Sequence, residues 1–366
     1  MSRKDEDVLK YEEKPMITTR QVTDSLESYT LSNGKGMTVT VINYGAAIAK
    51  VEAPDRDGKI DDVVLGHDDL TRYVGGRFYL GATVGRYANR IAGGHFVLHG
   101  REYHVTRNKN GNLLHGGEAG FDKKYWQANA LGESGDPAVE MQLVSPDGDE
   151  GFPGTVQIRL IYRVTSNNEL QIEYDAVTNK PTVINITNHS YFNLTGSAAN
   201  PITGHLLMID ADDFTPTDAS SIPTGAIRDV AGTPLDFRKL TPIGERINES
   251  WDQLQNSRGY DKNFVLNNYD GSVRKVATAF EPSSGRTMEV YTDQPGLQFY
   301  SGNYLDGKMK GKGGVIYGER SAFCLECQHF PNSPNEKRFP STTLEPGQHY
   351  RQTTVYRFSV DGNNQL

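Results

Sequence analysis

The most informative stretch of the chain is residues 182–194, where side chains alternate along the sequence. Alternation with a period of two is typical of a β-strand, because successive side chains point to opposite faces of a sheet. One face carries Ile184 and Phe192 and is predicted to join the core. The other face becomes polar and ends with His189 beside Tyr191. Such a histidine is either a structural side chain bonded to a backbone carbonyl or a rigidly mounted group that exchanges a proton.

Short runs with the same character recur along the chain, and turn-forming clusters separate them. They are rich in Val, Ile, Thr and Tyr, which favour strands. Helical periodicity is limited to residues 240–247 and 252–255. The pattern therefore predicts an all-β protein, a large antiparallel β-sandwich. The predicted strands, besides 182–194, are 37–43, 48–53, 96–98, 102–105, 139–144, 155–164, 170–178, 206–209, 263–266, 276–280, 288–292, 297–301, 323–328 and 349–358.

The domain organisation is predicted to be simple. Residues 1–24 are charged and lack a clear period, so we expect a flexible N-terminal lead-in. Composition does not shift after that point, and residues 25–366 are predicted to form a single domain. The 38 glycines and 17 prolines in 366 residues fit many strands joined by turns.

Charge and cysteine content limit the partners and the compartment. The 38 Lys and Arg against 46 Asp and Glu give a net charge of −8, which argues against nucleic-acid or anionic-membrane partners. The charged N-terminus is unlike a secretory leader, and the chain contains no apolar run long enough for a membrane span. Cys324 and Cys327 fall three apart on a predicted strand, so they face opposite sides and read as ordinary thiols. A cytoplasmic protein is expected.

Polar groups in five other segments are candidates to converge on His189. Asn89-Arg90 offers several donors to hydroxyl oxygens, or forms a solvated turn. His115 precedes two glycines, so the backbone there either approaches a ligand closely or simply turns. Asp261 stands at the entrance of an apolar strand, where it either binds hydroxyls or caps a turn.

The last two segments lie nearer the C-terminus. Gln294 precedes a Pro-Gly turn, and a purely structural turn explains this motif well without a ligand. Glu326 lies inside an apolar strand. A carboxylate there is costly to bury unless it has a partner, so Glu326 is either functional, paired or on an exposed edge.

Taken together and in order, these motifs resemble the aldose 1-epimerase (galactose mutarotase) family from about residue 29 to the C-terminus. The resemblance rests on Asn89-Arg90, Leu-His-Gly-Gly at 114–117, Asn-His-Ser-Tyr-Phe-Asn-Leu at 188–194, Tyr-Asp-Lys-Asn-Phe at 260–264, Gln-Pro-Gly at 294–296 and Leu-Glu-Cys-Gln at 325–328. Two positions depart from the family pattern. Lys262 replaces a usual histidine, which could change the rim of the site, and Cys327 replaces a usual threonine.

The resemblance implies a twisted β-sandwich with an open sugar cleft and an isomerase that interconverts the anomers of hexoses such as galactose and glucose. It implies that Glu326 accepts the proton of the anomeric hydroxyl and that His189 donates a proton to the ring oxygen. His189 should then be protonated and Glu326 ionised when substrate arrives, with acid and base on opposite sides of the hemiacetal. The residues implied to hold the sugar are Asn89, Arg90, His115, Tyr191, Asp261 and Gln294.

The same resemblance implies no metal and no nucleotide cofactor, and a small-molecule aldose as the partner. A monomer is expected, with a weak dimer as the alternative. Three other functions stay open: a hexose-6-phosphate 1-epimerase of the same fold, which would need more basic residues around the cleft, a glycoside hydrolase using Glu326 and Asp261, and a non-catalytic sugar-binding module.

Overall fold

The computed structural model describes residues 14–132 and 135–360. These residues form twenty-nine strands, one short helix α1 (Asp252–Gln255) and seven 3₁₀ helices. The 3₁₀ helices are Leu70–Tyr73, Ala92–Gly94, Phe121–Lys123, Asp149–Gly151, Ile202–Gly204, Lys312–Gly314 and Ser333–Asn335. The strands are β1 (Met16–Gln21), β2 (Glu27–Ser32), β3 (Thr38–Ile42), β4 (Ala47–Pro54), β5 (Ile60–Asp62), β6 (Thr83–Val84), β7 (Arg90–Ile91), β8 (His95–Leu98), β9 (Arg101–His104), β10 (Leu113–Leu114), β11 (Gln127–Leu131), β12 (Ala138–Ser145), β13 (Val156–Val164), β14 (Glu169–Thr178), β15 (Thr182–Val183), β16 (Thr187–Asn188), β17 (Leu206–Ile209), β18 (Asp213–Phe214), β19 (Arg228–Asp229), β20 (Thr241–Pro242), β21 (Asp261–Val265), β22 (Arg274–Phe280), β23 (Arg286–Thr292), β24 (Gly296–Tyr300), β25 (Met309–Lys310), β26 (Ile316–Tyr317), β27 (Cys324–Gln328), β28 (Thr343–Leu344) and β29 (Tyr350–Val360).

Three antiparallel sheets dominate the architecture. The first has the order β1-β2-β3-β4-β5, the second β11-β12-β13-β14-β29-β23-β22-β17-β20, and the third β19-β18-β21-β24-β27. Strand β29, the last of the described strands, lies in the interior of the nine-stranded sheet, between β14 and β23.

The strands form because alternate side chains bury one face of each sheet. Along β14, Leu170, Ile172, Tyr174 and Ala176 are buried, while the residues between them are half-buried. Apolar side chains from all three sheets meet in one hydrophobic core. The predicted all-β antiparallel sandwich is therefore confirmed.

The N-terminal prediction is wrong in part. Residues 16–21, which fall within the predicted lead-in of 1–24, form β1 and pair along its whole length with β2. This strand is almost entirely exposed, so backbone hydrogen bonds hold it and the sequence carries no apolar alternation. Residues 1–13 lie outside the described part, and the single domain over residues 25–366 stays a prediction. Within residues 14–132 and 135–360, no helix has the length and apolar character needed to cross a membrane.

The predicted continuous strand over residues 182–194 is also wrong in detail. This segment contains only the two short strands β15 and β16, which pair with β28 and β6. Asn185 and Phe192 form isolated bridges to yet other segments. The segment is buried throughout. Its alternating side chains are buried on both faces. Its backbone hydrogen-bond partners, however, change every few residues as the segment passes between sheets.

Candidate active site

A polar platform forms on one face of β21, β24 and β27. Residues directly opposite each other in antiparallel strands project to the same face. The register therefore sets two rows of side chains across the three strands, Asp261–Tyr300–Cys324 and Asn263–Gln298–Glu326. The opposite face, with Phe264, Phe299 and Leu325 among its side chains, packs into the core. One sheet thus supplies both a hydrophobic core face and a site floor.

His189 is held against this platform by its backbone. Its N–H donates to the carbonyl of Ala82 at 2.8 Å, and its own carbonyl accepts the N–H of Gly81 at 3.0 Å. The imidazole lies beside Tyr191, with ring centroids 5.0 Å apart. The predicted histidine with an aromatic neighbour is therefore a buried, rigidly mounted group.

Asn89 and His115 form a second fixed element. Both have left-handed backbone angles, with φ of 60° and 50°. The N–H of His115 donates to the Asn89 carbonyl at 3.0 Å, and the N–H of Asn89 donates to His115 Nδ1 at 3.2 Å. Because Nδ1 accepts a hydrogen bond, the proton of a neutral His115 lies on Nε2. His115 is thus a fixed donor rather than an acceptor at Nε2.

Gly116 lets the turn after His115 approach a neighbouring segment. Its φ is +88°, and a Cβ at this position would lie only 1.8 Å from the carbonyl oxygen of Gly85. Glycine is therefore required here both for conformation and for space. The close backbone approach expected for this motif is to the protein's own chain.

These elements enclose a cavity of about 540 Å³. Seven of the eight predicted site residues line it: Asn89, Arg90, His115, His189, Tyr191, Asp261 and Glu326. The cavity also involves residues that the sequence reasoning missed, among them Tyr79, Asp122, Tyr300 and Tyr304. Tyr79 lies against both imidazoles, with ring centroids 4.7 Å from His115 and 5.7 Å from His189. Its loop carries no motif that could have identified it.

Gln294 is the exception among the predicted residues. The cavity-lining set of the described chain does not include it, and its side chain contacts His329 Nδ1 at 2.9 Å and Asp293 Oδ1 at 2.8 Å. Gln298 lies on the platform instead, opposite Glu326, and donates to Asp261 Oδ1 at 2.6 Å. The turn motif drew attention to Gln294, whereas the strand register shows that Gln298 shares a face with Glu326. Neither glutamine belongs to the cavity-lining set, so the sugar contact of Gln294 stays a prediction.

His189 and Glu326 are buried neighbours in the site. His189 Nε2 and Glu326 Oε1 are 3.8 Å apart, and the two side chains are only 5% and 3% exposed. Both groups therefore lie side by side, and their expected placement on opposite sides of the hemiacetal stays a prediction. Glu326 Oε2 is buried and has no hydrogen-bond partner within the described residues.

Burial sets the protonation of this pair. It lowers the pKa of His189 to about 4, although the charge of Asp261 acts in the opposite direction. Burial, and then the charge of Asp261, raises the pKa of Glu326 well above its usual value, while Arg90 lowers it. Burial therefore favours the neutral form of both groups in the free site. Protonated His189 with ionised Glu326, expected when substrate arrives, is disfavoured by this desolvation and stays a prediction for the occupied site.

The two departures from the family pattern lie away from the cavity. Lys262 is fully buried, and its Nζ contacts Ser257 Oγ at 3.3 Å and the carbonyl of Asp261 at 3.1 Å. It does not form part of the cavity rim as the sequence suggested. Cys327 is buried in the hydrophobic core, on the face opposite Glu326 as expected.

His115, His189 and Glu326 have potential ligand atoms within 4.8 Å of one another, which is close enough for a metal ion. His115 fits such an ion poorly. Its Nδ1 receives the N–H of Asn89, so the nitrogen left for a metal carries the proton. The geometry favours hydrogen bonding to an organic ligand.

Comparison with known proteins places this site in a family. The sequence profile of aldose 1-epimerase matches residues 27–357. The chain is 43% identical to galactose mutarotase of Homo sapiens over 88% of this chain and 91% of that protein. It is 37% identical to aldose 1-epimerase of Escherichia coli K12 over 91% and 95% of the two chains.

Solved structures agree with the sequence comparisons. A GalM/aldose epimerase homologue from C. elegans superposes with a TM-score of 0.80 at 31% identity, covering 95% of this chain and 99% of that one. Galactose 1-epimerase from Lactobacillus acidophilus gives 0.82 at 29% identity with the same coverage. The chain belongs to the aldose 1-epimerase family, and it is an isomerase by that membership.

Proposed function

We propose that the protein interconverts the α and β anomers of free hexoses, such as galactose and glucose, by opening and closing the pyranose ring. The observation that carries this proposal is the buried pair of His189 Nε2 and Glu326 Oε1, 3.8 Å apart in the cavity. Ring opening needs a base at the anomeric hydroxyl and an acid at the ring oxygen. Those two oxygens are bonded to the same carbon, so two side-by-side groups suit them.

One shared proton suffices for the whole cycle. In the opening step the Glu326 carboxylate takes the proton of the anomeric hydroxyl, and His189 Nε2 gives a proton to the ring oxygen. The bond between C1 and the ring oxygen breaks, and C1 becomes an aldehyde. After rotation about the C1–C2 bond, His189 takes the proton of the attacking hydroxyl and Glu326 protonates the carbonyl oxygen. The pair returns to its starting state with the opposite anomer.

The forms that burial favours, neutral His189 and protonated Glu326, correspond to the closing step. The opening step needs that proton on His189 Nε2, which lies across the 3.8 Å gap. Sugar hydroxyls that donate to Oε2 of Glu326, a buried oxygen without a partner among the described residues, favour the carboxylate. The charge of Asp261 favours the imidazolium. The bound sugar thus supplies hydrogen bonds to the Glu326 carboxylate in place of the water that burial removes.

The other lining residues are proposed to orient the sugar. The Asp261 carboxylate is fixed by Gln298, so it presents a preset acceptor to hydroxyl groups. His115 donates through Nε2, because the Asn89 amide occupies its other nitrogen. The proposed sugar-binding set is Asn89, Arg90, His115, Tyr191 and Asp261, and Gln298 supports it through the Asp261 carboxylate from outside the lining set.

A phosphorylated sugar is a weaker fit. Arg77 lines the cavity but pairs with Asp306 at 3.4 Å, and Lys123 donates to the carbonyl of Glu118 at 2.6 Å. Two of the four lining cations are thus already engaged, and a third, Arg90, donates to Asn89 Oδ1 at 3.3 Å, whereas phosphate recognition needs several converging donors. Family membership also favours an isomerase over a hydrolase built on Glu326 and Asp261.

We further propose a cytoplasmic enzyme that acts as a monomer. Two buried free cysteines, Cys324 and Cys327, suit a reducing compartment. The seven predicted residues that line the cavity all come from one chain, so the site needs no second copy. Light scattering coupled to gel filtration tests the monomer, and a dimer at micromolar concentration would contradict it.

The test is polarimetry with freshly dissolved α-galactose and α-glucose. We expect Glu326→Gln and His189→Asn each to reduce turnover by about 10²–10⁴-fold, because each removes one proton-transfer group. His329→Asn is the matched control, since His329 is a half-buried histidine whose pKa is also lowered by burial to about 4 but which lies outside the cavity-lining set. Its turnover should stay within a few-fold of the wild type. Equal loss in all three variants, or no loss in the first two, would refute the assignment.

A further inference from the structure

The thiol of Cys324 lies against the catalytic imidazole on the side away from Glu326. Cys324 Sγ is 3.6 Å from His189 Nδ1, whereas Nε2 of the same ring faces Glu326 Oε1 at 3.8 Å. Cys324 is fully buried and shares a face of β27 with Glu326, two residues later. One strand therefore mounts the proposed base and a contact to the proposed acid.

The mechanism restricts which nitrogen of the neutral His189 carries the proton. In the closing step Nε2 must accept a proton from the attacking sugar hydroxyl, so it must be bare. The single proton of the neutral imidazole must then lie on Nδ1. Nδ1–H needs an acceptor because the ring is buried, and Sγ of Cys324 is the side-chain atom placed to accept it.

A thiol has properties that suit this place. Burial, and then the charges of Glu326 and Asp261, raise the pKa of Cys324 well above its usual value, so the group stays a neutral thiol. A neutral sulfur is a weak acceptor. It can orient the ring without stabilising the doubly protonated imidazolium. A carboxylate at this position would stabilise that imidazolium through its charge. His189 can then release its Nε2 proton in each cycle.

We propose that Cys324 is a positioning residue that keeps neutral His189 in the Nδ1–H tautomer, with Nε2 bare toward Glu326 and the sugar. This proposal rests on the proposed function, because it is the ring-closing step that requires a bare Nε2. His115 provides the contrast within the same cavity. Its Nδ1 accepts the Asn89 N–H, so its neutral tautomer carries the proton on Nε2.

The direct test is the tautomer itself. Histidine labelled with ¹⁵N and long-range ¹H–¹⁵N correlation spectra distinguish a protonated from a bare ring nitrogen, and the signals of His189 are those lost in His189→Asn. We expect Nδ1–H for His189 and Nε2–H for His115 in the wild-type protein at pH 7. An Nε2–H signal for His189 would overturn the proposal, even if polarimetry shows full anomerase activity. The two failures are therefore distinguishable.

Variants supply the second test. We expect Cys324→Ala to lower kcat about tenfold with KM little changed and to give a mixture of His189 tautomers. Cys324→Ser, which keeps a neutral acceptor at the same position, should recover kcat to within about threefold of the wild type. Cys327→Ala is the matched control, because it removes a buried thiol from the opposite face of the same strand. It should leave both kcat and the tautomer unchanged.

The outcomes separate positioning from packing. A fall in kcat in Cys324→Ala with an unchanged Nδ1–H tautomer would mean that the thiol only fills space, and the proposal would be overturned. Wild-type kcat and an unchanged tautomer would overturn it as well. If Cys324→Ala does not fold, the wild-type spectrum and the Cys324→Ser variant still decide the question.

Discussion

At the scale of single residues, His189 and Glu326 face each other across a buried gap of 3.8 Å, and the proposed mechanism has them share one proton. Activity requires that the pair hold one proton and not two. Because burial lowers the pKa of His189 to about 4 while Glu326 stays protonated, a second proton binds only as the pH falls through about 4. We therefore expect kcat/KM to stay level down to about pH 5 and to fall below that.

Polarimetric rates, corrected for uncatalysed mutarotation, measure this profile. An acidic limb near 6.5, where an ordinary histidine titrates, would contradict it. Asp122 also lines the cavity, and burial raises its pKa to about 6. The profile is therefore repeated with Asp122→Asn, in which any inflection near pH 6 that remains cannot come from that carboxyl group.

Gln298 and Gln294 give a second expectation at this scale. Gln298→Ala removes the amide that fixes the Asp261 carboxylate, so KM should rise about tenfold with a smaller change in kcat, as expected for losing a hydrogen bond to a charged group. Gln294→Ala should leave KM within about twofold, since its contacts are to His329 and Asp293. Steady-state kinetics with α-galactose measure both. A larger KM change in Gln294→Ala than in Gln298→Ala would restore the original interpretation.

The sequence identified the site residues unevenly, and the reason is physical. Glu326 stands among apolar residues, and His189 lies in a segment of alternating side chains. Both positions are unusual, because a buried charge or imidazole is costly unless it has a function or a partner. Their convergence depends on strand register, which a single sequence does not encode locally. The family resemblance predicted that these residues lie in one site. Its Gln-Pro-Gly motif pointed to Gln294, however, and gave no indication of Gln298. The protonation of His189 and Glu326 could not be predicted from the sequence, because it depends on how deeply the folded protein buries them.

At the scale of secondary-structure elements, the turn after His115 carries a steric requirement. Ala at position 116 would place its Cβ against the Gly85 carbonyl, which belongs to the segment leading to Asn89. We expect Gly116→Ala to lower the free energy of unfolding by about 3 kcal/mol, through overpacking and left-handed strain together. Urea denaturation measures the change.

Gly111 provides the matched control in the same region. Its φ is +78°, but a Cβ there would meet nothing within 4 Å. Gly111→Ala should therefore cost only the left-handed strain, about 1 kcal/mol. Equal losses in the two variants would mean that backbone conformation alone, and not the approach to Gly85, requires glycine at 116.

Elements were predictable where burial was one-sided. The predicted strand over residues 170–178 matches β14 to within one residue, because each second side chain enters the core. Strand β1 was missed since it is exposed and held by pairing with β2 alone. The segment 182–194 was overextended because side-chain burial continues where strand pairing stops.

At the scale of the whole molecule, an ion pair joins distant parts of the chain. Lys312 Nζ bonds Asp62 Oδ2 and also donates to the Val64 carbonyl at 3.0 Å, and both charged side chains are largely buried. Their partnership fastens the segment after β25 to the edge of the first sheet. Removing one partner leaves a buried charge without compensation.

We expect Lys312→Met to lower the free energy of unfolding by about 3 kcal/mol, in the range for a broken buried pair. Lys310→Met is the control, because Lys310 is exposed and its loss should change stability by less than about 0.5 kcal/mol. Urea denaturation at pH 7 measures both. A loss below 1 kcal/mol in Lys312→Met would show that the segment is held by other contacts.

The position of β29 has a consequence for synthesis in the cell. This strand fills the slot between β14 and β23, so the widest sheet has a gap until residues 350–360 have been translated and have left the ribosome. A nascent chain stalled before residue 350 should expose the unpaired edges of both neighbours, recruit chaperones and remain sensitive to protease. Emergence of residues 350–360 should then close the sheet in one cooperative step.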